Sequence, residues 1–286
     1  MKTLIIYFSQ TGGTKKIAEA IRTGIKSVGA ECDLIKIKNV DPSGLRKYDL
    51  IGFGTPTFFY REPLNVQRFI NNLPEMQNMH AFIFATHGSC LGNTFYYLSE
   101  ELKEKGFVVI GAFDSYSDSS LQFYPKPMHT YGHPDEIELK EAEEFGKKIC
   151  RISEKIRQGN LNLIPNFKLI EDTWWAKDSK LLTPKTLRMI SPKFQINMEK
   201  CTQCMLCQTE CPGDAVDIST NPPEIQKEGC IFCWFCEKVC PTGAIEADWS
   251  IIRANTKSNL RKYIKLLEEA EKQGKFRPYV DYRKIR

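Results

Sequence analysis

The sequence predicts an α/β protein: a doubly wound, five-stranded parallel sheet, followed by a small cysteine-rich α+β domain. Three observations lead there. Short apolar runs alternate with helical patterns through the first 158 residues. The first run enters a turn of glycine and hydroxyl residues and then a helix. Eight of the eleven cysteines fall between Cys201 and Cys240. The chain divides into residues 1–158, a linker at 159–192, the cysteine-rich domain at 193–250, and a C-terminal helix and tail at 251–286.

Lys2 to Phe8 is continuously apolar after its first residues and rich in β-branched and aromatic side chains, the pattern of a buried parallel strand. Ser9-Gln10-Thr11-Gly12-Gly13-Thr14 follows, and then Ile17, Ala18, Ile21, Ile25 and Val28 recur at helical spacing. Backbone N–H groups at a helix start, helped by hydroxyls, make an anion site. The chain has no G-x-G-x-x-G or G-x-x-x-x-G-K-[ST] here, which argues against a dinucleotide site or a P-loop. Strands are expected at Asp33–Ile37, Tyr48–Gly54, Ala81–Ala85 and Phe107–Phe113. Helices are expected at Pro63–Leu73, Asn93–Lys105 and Ile137–Ile156. Such alternation implies helices on both faces of a parallel sheet, with ligands beyond the carboxyl ends of the strands.

These residues resemble the flavodoxin family over about residues 1–158. Its phosphate loop reads [ST]-x-T-G-x-T, matched by Ser9 to Thr14. The resemblance implies FMN, with the phosphate held by Ser9, Gln10, Thr11, Gly12, Gly13 and Thr14. It places the flavin ring between Thr55-Pro56-Thr57-Phe58-Phe59-Tyr60 and the loop carrying Thr86, His87, Gly88, Cys90, Gly92 and Asn93. A flavin ring needs a flat apolar slot, which Phe58, Phe59 and Tyr60 could supply. The chain departs from the family in one respect: the loop after the fourth strand is neutral, with His87, where flavodoxins often carry Asp. Single-electron cycling of the carrier kind is therefore not assumed. His87 is the one candidate catalytic group, although a lone loop histidine is more often a polar contact. Cys90, Cys32 and Cys150 read as structural thiols.

The clustered cysteines form two copies of one spacing, C-x2-C-x2-C-x3-C-P. Cys201, Cys204, Cys207 and Cys211 make the first, and Cys230, Cys233, Cys236 and Cys240 the second, each offset by 29 residues. This is an internal repeat. Zinc sites favour paired C-x-x-C knuckles, and a disulfide scaffold needs an oxidising compartment. A cubane needs thiolates at tetrahedral corners, and a tight loop can supply three. The segment, about residues 193–250, resembles the bacterial two-4Fe–4S ferredoxins. In such runs the fourth cysteine ligates the other cluster. The resemblance therefore implies one cluster on Cys201, Cys204, Cys207 and Cys240, and a second on Cys230, Cys233, Cys236 and Cys211. Pro212 and Pro241 end the local helix, and Trp234 is expected to shield sulfurs from water.

The rest of the chain narrows the function. Residues 1–160 hold 20 basic and 19 acidic side chains, and residues 161–286 hold 20 and 16, nets of +1 and +4. No basic block marks a nucleic-acid footprint. The apolar runs fall short of the about 20 residues that cross a bilayer, so a cytoplasmic chain that does not span the membrane is expected. Trp174-Trp175 suggests an interdomain anchor. Leu260, Tyr263, Ile264, Leu267 and Ala270 line one face of a helix from about Lys257 to Gln273, capped by Gly274. The aromatic segment Asp114–Asp135, with Phe123 and Tyr124, reads as a lid over the flavin or a docking edge. The whole resembles the flavodoxin–ferredoxin fusions of anaerobic bacteria and archaea. That implies electron transfer between two 4Fe–4S clusters and FMN, serving a redox partner protein or a small oxidised substrate. The alternatives are a pure one-electron carrier and a docking module without flavin. The sequence leaves open whether the clusters reach the flavin in cis or across a homodimer.

Overall fold

The structure is a computed structural model that describes residues 1–119, 121, 124, 126–226 and 228–285, with the backbone alone at 255, 257 and 258. Strands β1 (Lys2–Tyr7), β2 (Glu31–Lys36), β3 (Leu50–Pro56), β4 (Met79–His87) and β5 (Phe107–Tyr116) form one sheet in the order β2-β1-β3-β4-β5. Every pairing is parallel. Successive side chains of a strand face opposite sides, so β1 feeds two cores. Leu4 and Ile6 pack with α2 (Leu64–Asn71) and α3 (Thr94–Glu104), whose Val66, Ile70, Leu98 and Leu102 are buried there. Ile5 and Tyr7 pack with α1 (Gly13–Ser27) and α4 (Glu136–Arg157) through Ile17, Ile21, Ala142 and Ile149. Helices α1 and α4 approach closely because Gly24 faces the Glu143 carbonyl and Gly146 the Ile21 carbonyl, where any Cβ would collide.

The five expected strands and all the expected helices are present, most with shifted ends. The largest shifts lengthen β4 and β5. Residues 114–116, read as loop, continue β5 beside Ala85–His87 of β4. Helix α4 starts at a capping box: Asp135 accepts from Glu138 N–H, and the Glu138 carboxylate accepts from Asp135 N–H.

The linker is not featureless. It carries α5 (Trp174–Leu181) and α6 (Pro184–Ile190), N-capped by the Thr173 and Thr183 hydroxyls. Beyond it, β6 (Phe194–Ile196) pairs antiparallel with β9 (Ile245–Ala247), and β7 (Val216–Asp217) with β8 (Glu224–Ile225). Between them lie α7 (Leu206–Thr209) and α8 (Phe235–Val239). The last helix, α9 (Ser250–Lys272), starts seven residues before the expected Lys257 because Asp248 accepts from Ser250 N–H at its first turn. Gly274 follows it at φ 70°, as a C-terminal cap requires. The tail then folds back: Phe276 and Tyr282 are buried with Leu267, and Arg277 and Tyr279 donate to Asp135. No described helix is long and apolar enough to cross a membrane.

Candidate functional site

The glycine-rich loop leaves β1 beside β3, where the strand order reverses. In open α/β sheets this crevice takes the ligand. Gly12 caps α1 at φ 95° without a side-chain hydrogen bond, so the first N–H groups of the helix are left for a ligand. Ser9 Oγ is buried with no hydrogen-bond partner, and the Gln10 amide is buried without a close one, facing the Cys233 thiol. Buried polar atoms are rarely left so; unpaired donors beside a free helix terminus suit a phosphate. Thr11 is exposed, and Thr14 shares a 2.8 Å hydrogen bond with the Thr86 hydroxyl, tying the loop to the end of β4. Gly13 lies against the Ser117 hydroxyl.

The loop after β3 is a tight turn. Phe58 and Arg61 exchange backbone hydrogen bonds of 2.8 and 3.1 Å across Phe59 and Tyr60, which sit at φ 52° and 69°. Two consecutive left-handed residues other than glycine are costly and persist only where the surroundings impose them. Asn93 N–H donates to Tyr60 O, Thr57 N–H donates to Thr86 O, and the Thr57 and Thr94 hydroxyls meet at 3.1 Å. Thr55 is buried and donates to the Pro56 carbonyl. Arg61 ion-pairs with Glu62 and Glu101 and lies over the Tyr97 ring. Burial pushes the Glu62 carboxyl up, opposed by the adjacent Arg61 guanidinium. Sequence reasoning missed this ionic group; an adjacent Arg-Glu pair after an aromatic turn was its only signal.

The aromatic residues of this turn diverge. Phe58 packs edge-on to Phe8, and Phe59 edge-on to Trp234 of the cysteine-rich domain. Tyr60 turns away from the expected flavin slot. It packs between Trp174 and Trp175 and shares a 2.7 Å hydrogen bond with the Tyr263 hydroxyl of α9. A buried phenol needs such a partner, and α9 supplies it. The tryptophan pair thus holds the linker, together with α9, against Tyr60.

After β4, His87 is buried and its Nε2 lies 3.2 Å from Asp114 Oδ2, while its Nδ1 has no partner. Desolvation opposes the charge on Asp114, but the His87 hydrogen bond holds the carboxyl below the usual carboxylate range. The neutral loop therefore receives a carboxylate from β5. Gly88 lies beneath Ser119 and Thr130, and Gly92 (φ 64°) against the Tyr60 backbone. Asn93 has a structural use: its amide exchanges hydrogen bonds of 2.9 and 3.0 Å with the Ile170 backbone, strapping the linker down. Asp118 Oδ1 and His129 Nε2, in the segment after β5, are also buried without partners. In that segment Phe123 lies outside the described residues, whereas Leu121 and Tyr124 join the cluster around Trp234.

The two cysteine runs share one backbone shape. Residues on both sides of each second cysteine are left-handed: Gln203 and Met205 around Cys204, Phe232 and Trp234 around Cys233. This curl turns successive thiols inward. A cavity of about 320 Å³ is lined by Cys201, Cys204 and Cys207 of the first run together with Cys240 of the second. Cys230, Cys233 and Cys236 instead feel the charge of Cys211. Burial pushes the Cys233 thiol up to about 12 and raises Cys230 and Cys236 as well; a metal must displace those protons. Each crossing cysteine accepts a backbone N–H, Cys211 from Ala215 at 3.3 Å and Cys240 from Ala244 at 3.2 Å. A cavity walled by thiols fits a cubane, and such N–H···S contacts tune its potential. His133, Asp135 and Glu138 also bring donor atoms within 4.8 Å of one another. Those atoms are already engaged in the α4 capping box and with the tail.

Residues 5–126 match the flavodoxin family model, and residues 200–245 match the 4Fe-4S dicluster domain. An uncharacterized protein of Methanocaldococcus jannaschii is 32% identical over 165 residues, covering 53% of this chain and 99% of its own. A flavodoxin of Clostridium saccharobutylicum is 29% identical over 167 residues, covering 55% of this chain and 99% of its own. Among solved structures, a flavodoxin from the domain Archaea aligns with a TM-score of 0.43 and 24% identity, over 55% of this chain and 99% of its own. The chain thus belongs to the flavodoxin family through its N-terminal domain, and the 4Fe–4S dicluster domain fused to it makes it a flavodoxin–ferredoxin fusion of electron transfer.

Proposed function

We propose that this protein moves electrons between two 4Fe–4S clusters and one FMN, and delivers them to a redox partner protein or a small oxidised substrate. The observation that carries the reading is the shared lining of the cysteine cavity. Three thiols of one run and the fourth of the other surround it, the crossing that a two-cluster run requires. Cys201, Cys204, Cys207 and Cys240 hold one cluster, and Cys230, Cys233, Cys236 and Cys211 the other. Ser9, Gln10, Thr11, Gly12, Gly13 and Thr14 take the FMN phosphate. Thr55, Pro56, Thr57, Phe58 and Phe59 line one side of the ring, and Thr86, His87, Gly88 and Gly92 the other. Bound FMN supplies a centre that stores one or two electrons, where each cluster moves one. The test is anaerobic reconstitution with iron, sulfide and FMN, followed by analysis of all three. The reading requires one FMN and two cubanes per chain. A protein that retains zinc at these cysteines, or no flavin, contradicts it.

A further inference from the structure

The two cysteine runs are copies in sequence and in backbone, but their surroundings are opposite. The residues flanking the second cysteine are Gln203 and Met205 in the first run, and Phe232 and Trp234 in the second. Cys204 is exposed, and so are its neighbours Met205 at 47% and Leu206 at 38%. Phe232 and Trp234 are 3% and 6% exposed. The second run faces the flavodoxin domain. Cys233 packs onto the core that contains Phe8 and Phe58. Its thiol faces the Gln10 amide of the phosphate loop. Trp234 stands on Phe59, and Arg68 of α2 donates to the carbonyls of Glu228 and Gly229, both at 3.1 Å, fixing the start of the run.

We propose that the cluster on Cys230, Cys233, Cys236 and Cys211 is the inner one, wired to FMN of the same chain past Gln10, Phe59 and Trp234, and that the cluster on Cys201, Cys204, Cys207 and Cys240 is the outer port. The proposal rests on the FMN-and-cluster reading above. In each step the reduced inner cluster loses one electron and the flavin gains it. Two such steps, with two protons from water, complete FMN reduction. The outer cluster refills the inner one. It is itself refilled by a low-potential one-electron donor, which is oxidised at the exposed Cys204 face. The path lies within one chain, so no second copy is needed.

The inner cluster and the FMN phosphate, which shares the Gln10 loop, must then influence each other, and the coupling is reciprocal. The test uses the full-length, iron-loaded protein under anaerobic conditions. Cluster potentials are read by electron paramagnetic resonance during redox titration, with and without FMN. Flavin bleaching by titanium(III) citrate is read by stopped flow. FMN is expected to lower the potential of one cluster only. Cys204→Ser should remove the other, FMN-insensitive cluster. The bleaching rate constant should not change on dilution, as for an intramolecular step. Trp234→Leu, which keeps all eight thiols, should slow bleaching about tenfold, the usual scale for residues around a metal site. Loss of the FMN-sensitive cluster in Cys204→Ser reverses the assignment. A rate that scales with protein concentration overturns the wiring in cis, as does an unaltered rate in Trp234→Leu. A protein that binds no FMN refutes the underlying reading and this proposal with it; one that binds both cofactors without coupling refutes only the proposal.

Discussion

The indole of Trp234, inside the second cysteine run, stands edge-on to the ring of Phe59 in the turn after β3, with centroids 6.1 Å apart and planes at 87°. Each residue sits in the left-handed region, which neither would adopt freely. The contact therefore joins two strained loops, one from each cofactor domain, and each supports the conformation of the other.

Ser9→Ala should weaken FMN without harming the fold. The Ser9 hydroxyl is buried and unpartnered in the protein, so its loss removes no internal hydrogen bond. A hydrogen bond to a charged phosphate contributes about 1.5–3 kcal/mol, roughly a ten- to hundredfold change in Kd. Quenching of flavin fluorescence measures the affinity, and thermal unfolding should show an unchanged or slightly raised Tm. Equal FMN affinity in both proteins would remove Ser9 from the phosphate site.

Stripping the iron should loosen one domain and spare the other. Gln203, Met205, Phe232 and Trp234 are all held left-handed around the cysteines, at about 1 kcal/mol or more each. Cluster ligation is what offsets that cost. Hydrogen exchange after chelation should speed up across residues 200–245, while amides of β1, β3 and β4 stay protected. Unchanged exchange at 200–245 would mean that the curl is intrinsic to the chain.

Much of this was legible in the sequence, for identifiable reasons. Strands such as Leu4–Tyr7 are buried on both sides, so they read as unbroken apolar runs. The cysteine spacing states its chemistry outright, because ligand geometry leaves little freedom. What was missed depends on partners distant in sequence. Tyr60 looks like a flavin wall until Tyr263, 203 residues later, takes its hydroxyl. Asn93 reads as a ligand contact, and nothing near it in sequence announces its strap to the Ile170 backbone. Helices α5 and α6 did leave a local signal, Thr173 and Thr183-Pro184 at their starts, the usual N-terminal pattern. It was obscured by the mixed polar composition of the linker.

Asn93→Ala should release the linker. The mutation removes two hydrogen bonds to the Ile170 backbone and leaves those backbone groups to find water. About 1–3 kcal/mol of local stability should be lost, read as faster exchange at residues 168–172 and a lower urea midpoint. Glu62→Gln serves as a comparison in the same region, because its effect should stay near the Arg61 turn. Identical exchange at Ile170 in wild type and Asn93→Ala would show that the strap contributes nothing.

The C-terminal tail should detach in acid. Burial opposes the charge on Asp135, but hydrogen bonds from Arg277, Glu138 N–H and Tyr279 hold its carboxyl down at about 2. A depressed carboxylate adds stability that is complete above its ordinary pKa of about 4 and is lost as pH falls toward 2. Exchange at residues 275–285, corrected for intrinsic rates, should therefore rise below about pH 4. In Arg277→Met this acid-dependent rise should shrink. A tail that stays protected through this window would contradict the latch.

The most direct test of the account is an anaerobic reductive titration of the iron-loaded, FMN-supplied protein, followed by visible absorbance and electron paramagnetic resonance. The account predicts that cluster reduction and flavin bleaching are linked, so that electrons placed on the clusters equilibrate with FMN within one chain. Clusters that reduce fully while bound flavin stays oxidised and isolated, at potentials where both should take electrons, would contradict it.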